Sequence, residues 1–205
     1  MLPTSFSPQP GALPPLAPFD PATMIQSLDE RGWGLRVVFF KPESAPDRFG
    51  HVIATVDAGG AAGETVIPHL VSQEGAGSDG WPLSPPLQSL AIERRPEGAV
   101  ALLVGMSGQS HWSASFEMLA KRGLEVDIAC RLGPGGGGRL GSGYHTPQAV
   151  ATKCGEGALE MEGDRRVLVE LGPEIAAKML ADGVFLGVQQ GPSRPVRWKY
   201  SVYCG

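Results

Sequence analysis

HWSASFEM at 111–118 is followed, after a short turn ending in Gly123, by LEVDIACRL at 124–132. The apolar residues of the first run are Trp112, Ala114, Phe116 and Met118. Those of the second are Leu124, Val126, Ile128, Cys130 and Leu132. Side chains along a strand point alternately to opposite faces, so each run sorts its apolar set to one side and its polar set to the other. The pattern predicts an antiparallel hairpin with one face in a core and one facing something polar. With Met118 opposite Leu124, Glu117 falls opposite Glu125, Ser115 opposite Asp127, Ser113 opposite Ala129 and His111 opposite Arg131.

Outward from the hairpin, the chain reads as strand after strand. Runs at 35–40, 49–56, 64–71, 87–93 and 99–105 precede it. Runs at 149–154, 158–162, 165–171, 184–188 and 196–204 follow. In the last of these Val196, Trp198, Tyr200 and Val202 share a face opposite Arg197, Lys199, Ser201 and Tyr203. About ten short strands with turn signals between them predict an all-β fold, an antiparallel β-sandwich or partly open barrel. A parallel α/β sheet is excluded because the strands do not alternate with long helical crossovers.

Two short helices are predicted beside the strands. Asp20 precedes Pro21 as a helix cap precedes a first-turn proline, with Met24, Ile25 and Leu28 as the buried stripe and Gly32 as the stop. Pro173 opens a second helix over 173–181, which would turn Ile175, Met179 and Leu180 inward. The glycine-rich GPGGGGRLGSG at 133–143 reads as a mobile loop, because so many glycines are costly to order.

The 205 residues suffice for one well-buried domain, read here as 20–205, preceded by a disordered or extended proline-rich tail at 1–19. Glycine (29) and proline (19) together approach a quarter of the chain, which the many turns absorb. A net charge of −4 with scattered Arg and Lys argues against a nucleic-acid partner. No apolar run approaches the roughly 18 residues of a membrane-spanning helix. The first residues carry no Lys or Arg and are broken by prolines, unlike an export signal. Three cysteines, Cys130, Cys154 and Cys204, fit a reducing compartment better than a disulfide framework, so a cytoplasmic location is expected.

The polar face of the hairpin is the first candidate for chemistry. It gathers His111, Ser113, Glu117, Asp127 and Arg131 as possible ligand-binding groups. Two glutamates directly opposite cost a few tenths to about 1 kcal/mol, which a cation or a ligand donor would offset. The plainer alternative is a solvated outer face. A Ser–His–Asp set can be written from Ser113 or Ser115, His111 and Asp127, but no G-x-S-x-G elbow accompanies it. The four histidines show no paired metal-ligand spacing, and Cys130 falls on the apolar side of its strand. No metal, cofactor or catalytic residue is assigned. Trp81, in DGWPLSPP, is either a binding platform or a plug over the end of the sandwich.

WPLSPPLQSL, GMSGQSHWSASFE, DIACR and GSGY lie in that order between residues 80 and 145, with RWKYSVY further on. The chain here resembles a group of uncharacterised bacterial proteins carrying WP-x-SPPLQ, SHWS-x-S-x-E and ACR motifs. That resemblance implies a shared fold and brings no activity with it. Two functions remain: a non-enzymatic module that binds a protein or small-molecule partner on one sheet face, or a hydrolase or isomerase with a polar site on the 111–131 hairpin.

Overall fold

The computed structural model describes residues 20–59, 63–77, 80–120, 122–134, 138–147, 150–153, 157–162, 166–189 and 195–205. The predicted tail at 1–19 and Cys154 lie outside these, as does part of the glycine-rich segment. Among the described residues the chain forms fifteen strands and one short 3-10 turn, Pro21–Thr23. The strands pair antiparallel into two sheets, so the predicted β-sandwich is the fold.

The seven-stranded sheet is built from β1 (Met24–Leu28), β2 (Trp33–Phe40), β3 (Gly50–Asp57), β4 (Thr65–Ser72), β9 (Gly141–His145), β14 (Gly183–Val188) and β13 (Ile175–Leu180), in that spatial order. The eight-stranded sheet runs β10 (Val150–Lys153), β11 (Ala158–Glu162), β12 (Val167–Leu171), β15 (Val196–Cys204), β8 (Gly123–Arg131), β7 (Ser110–Leu119), β6 (Gly98–Ser107) and β5 (Leu87–Arg95). The central hairpin has the register read from its alternation, with Met118 opposite Leu124 and His111 opposite Arg131. β15 lies against the other side of β8, with Lys199 opposite Asp127 and Ser201 opposite Glu125.

Both predicted helices are replaced by strands. Asp20 does cap, its carboxylate accepting the Ala22 N–H at 2.8 Å, but only a single 3-10 turn follows. Met24–Leu28 then pairs along its whole length with β2, which holds extended a segment too short to hold a helix alone. Ile175–Leu180 likewise pairs along its whole length with β14 through a turn at Ala181 and Asp182. Its Ile175 and Met179 fit a helical stripe, yet a partner strand within turn reach overrides so weak a preference. The third unexpected strand, β9, begins inside the glycine-rich segment. A Cβ at Gly141 would sit 2.6 Å from the Phe185 ring, and Ser84 Oγ donates to Gly143 O at 3.0 Å. Here the glycines permit close packing rather than motion.

The core lies between the sheets. Leu35, Val37, Phe39 and Ile53 of one sheet meet Phe116, Val126, Ile128 and Trp198 of the other. Phe39 and Phe116 join edge to face across the interface, with ring centroids 5.2 Å apart. The apolar set of the hairpin is buried as its alternation requires, from Trp112 through Cys130.

Candidate functional site

With the large side chains of β7 and β8 turned into the core, their polar partners stand on the outer face of the eight-stranded sheet. His111, Ser113 and Arg131 are exposed there, while Ser115, Glu117, Glu125 and Asp127 are half-buried among their neighbours. The structure thus brings the predicted polar residues onto one surface. It also supplies counter-charges from β15. Arg197 forms a bidentate ion pair with Asp127, and Lys199 Nζ lies 2.5 Å from Glu125 Oε2. The cation that would relieve the Glu117–Glu125 pairing is therefore present within the protein, as a lysine. Asp127 is held by Arg197 on the neighbouring strand, and His111 sits across from Arg131, so these two members of the Ser–His–Asp set have other partners or neighbours.

Trp81 stands at an end of the sandwich. Its ring is half-buried and packs on Trp112 with centroids 5.9 Å apart, and Gly138 approaches so closely that a Cβ there would lie 2.4 Å from Trp81 Cγ. That geometry matches a plug better than an open platform.

A feature not noted from sequence lies next to the polar row. β6 turns Ala101 and Leu103 into the core, and its other face carries Leu102, Val104 and Met106. These are 39%, 55% and 46% exposed. Ser89 and Ala91 of β5 flank them on one side, and His111, Ser113 and Ser115 of β7 on the other. In ALLVGM both faces of the strand are apolar, so alternation could not separate the inward residues from the outward ones. Where β12 meets β15 in the same sheet, a recess of about 280 Å³ is lined by Glu170, Gly172, Glu174, Lys199 and Ser201, among others. Glu174 Oε1 accepts the Lys199 backbone N–H at 2.8 Å, which ties β13's approach to β15.

A second polar group is internal. His51 Nε2 lies 2.8 Å from the Tyr144 hydroxyl, which in turn meets the Tyr200 hydroxyl of the other sheet. Trp198 Nε1 donates to Ser142 Oγ at 3.2 Å. Burial pushes the His51 imidazolium down to about 3, so the ring is neutral, and raises both phenols above their ordinary value. Beside this group Ser72 Oγ accepts the His51 N–H and donates to Glu74 Oε1 at 2.9 Å. Glu74 Oε2 is buried without a hydrogen-bond partner, and burial raises its carboxyl to about 7. These residues come from β3, β4, β9 and β15 and the loop after β4, segments far apart in sequence, so no sequence motif announces them.

No protein-family model matches the chain. A search of curated proteins finds no significant relative. Among the described residues, no three or more His, Cys, Asp or Glu are grouped to hold a metal ion, and no helix is long and apolar enough to cross a membrane.

Proposed function

We propose that this protein is a non-enzymatic interaction module whose binding surface is the outer face of β5, β6 and β7. The observation that carries the reading is the exposed stripe Leu102, Val104 and Met106, bordered by His111 and Ser113. Contiguous exposed apolar side chains with a polar rim are characteristic of contact surfaces, where an apolar centre is desolvated and the rim sets orientation. The other half of the face is neutralised internally by the Asp127–Arg197 and Glu125–Lys199 pairs, which leaves the β6 stripe as its unsatisfied part. Catalysis on the hairpin has less support. His111, Ser113 and Arg131 stand exposed, and the recess at 170–174 and 199–201 contains none of the predicted polar set. The partner is a protein with an apolar contact strip, rather than a nucleic acid or a membrane. A cytoplasmic setting accords with the buried, unpaired thiols of Cys130 and Cys204.

The test is photo-crosslinking in the native cell, with a photoreactive residue at position 104 and, as control, at the exposed Lys178 of β13. A discrete adduct of defined mass from position 104, lost when Leu102→Asp is added, is the expected result. Equal background from both positions would overturn the reading.

A further inference from the structure

The outer face of the eight-stranded sheet is polarised by charge along its strands. The registers of β5 to β8 set its outward side chains in rows across the sheet. At one end a row holds Glu93, Glu117 and Glu125, and Glu97 is exposed in the turn beyond it. Two cations stand among these four carboxylates: Arg95, ion-paired with Glu93, and Lys199, ion-paired with Glu125. The bond to Glu93 holds Arg95 charged, and Glu117 and Glu97 add to the effect. This end therefore stays net negative. The row at the other end is Met106, His111 and Arg131, with both polar side chains exposed. Between the ends, Asp127 is neutralised by Arg197. The exposed stripe of Leu102, Val104 and Met106 runs from beside the acidic row to the basic one.

An apolar stripe with opposite charge at its two ends is complementary to itself in one orientation. A two-fold axis across the strands, between Leu102 and Val104, lays stripe on stripe with the strand directions reversed. His111 and Arg131 of one copy then come over Glu117 and Glu125 of the other, and the symmetry repeats the contact. An axis parallel to the strands would also stack the stripes, but it would set acidic end on acidic end, which like-charge repulsion disfavours. Two-fold pairs are the commonest protein assemblies, and their surfaces must match themselves in this way.

We propose that the partner of the β5–β7 surface is a second copy of this chain, docked face to face with its strands reversed. This rests on the reading of that surface as a contact site and names what it contacts. The contact is small. Strands about 4.8 Å apart and rows about 6.8 Å apart give four strands by four rows a footprint of roughly 400 Å² per copy. Specific interfaces commonly bury about 800 Å² per partner, and smaller ones belong to weak or transient pairs. The dimer is accordingly reversible and concentration-dependent.

The test is sedimentation equilibrium of the full chain over a series reaching millimolar concentration. A mass rising from one chain toward two is expected, and Leu102→Asp should abolish the rise. Glu117→Arg should weaken association by about tenfold or more, because it sets like charges together across the two-fold. Adding Arg131→Glu should restore it, because the two exchanged charges meet again. A monomer throughout, a rise unaffected by Leu102→Asp, or a double variant no tighter than the single one would each overturn the dimer. The crosslink at position 104 judges the contact surface separately. An adduct there to a different protein, with a monomer in the centrifuge, would remove the second copy and leave the surface. A monomer with no discrete adduct would remove both.

Discussion

The hydroxyl of Tyr144, on the seven-stranded sheet, hydrogen-bonds to the hydroxyl of Tyr200, on the eight-stranded sheet. It is a polar tie through the interface, beside the Trp198–Ser142 hydrogen bond, and His51 holds its other end at 2.8 Å. Tyr144→Phe keeps the ring and removes the shared oxygen, which leaves His51 Nε2 and the Tyr200 hydroxyl without this partner inside the core. A stability loss of about 1–3 kcal/mol is expected, as for an orphaned buried polar group. Urea unfolding of Tyr144→Phe measures it, and an unchanged midpoint would show that the tie contributes nothing.

Glu74 gives the protein a pH dependence of definite sign. Its carboxyl is raised to about 7, chiefly by burial, against the opposing effects of the Ser72 hydroxyl and Arg48; Asp47 reinforces the rise. A raised folded-state pKa means that the protonated form stabilises the fold. The contribution is complete below the unfolded value of 4.5 and is lost as pH rises through about 7. Glu74→Gln keeps the side chain neutral throughout. It should gain up to about 3 kcal/mol over wild type at pH 8, at about 1.4 kcal/mol per pKa unit, and the gain should vanish near pH 4.5. His51 and His69, lowered to about 3 and 4 by burial, act in the opposite sense. Their neutral forms support the fold above pH 6.5 and lose that support as pH falls. Comparing the two proteins at each pH cancels this background, and equal gains at pH 8 and 4.5 would contradict the assignment.

Trp112 and Trp81 form a tilted ring pair with unequal burial, and their truncations should differ accordingly. Trp112 is 4% exposed and lies within the main core, so Trp112→Ala should cost on the order of 3–5 kcal/mol. Trp81 is half-buried at the end of the sandwich, and Trp81→Ala should cost less. Chemical denaturation of both variants checks the order, which a larger loss from Trp81 would reverse.

The hairpin was legible because its two runs alternate without interruption and one turn sets their register. Once Met118 faces Leu124, every other pair follows, including Ser115 with Asp127. What stayed hidden depends on neighbours distant in sequence. Residues 175–180 carry spacing compatible with a helix, and only β14 makes them a strand. The ion pairs that neutralise Glu125 and Asp127 come from β15, some seventy residues away. Leu102 and Val104 looked like any buried strand because the residues between them are apolar too. His51, Glu74, Tyr144 and Tyr200 meet through topology alone.

The position of β15 between β8 and β12 has a consequence for biosynthesis. Strands β5 to β8 can zip up as successive hairpins while translation continues, but β12 gains its neighbour on that side only when residues 196–204 have cleared the ribosome. Until then the nascent polypeptide presents two open edges, on β8 and β12, awaiting the same insert. A chaperone that shields the β8 edge would act in that interval, and a stop codon ahead of residue 196 would leave the two parts of the sheet unjoined.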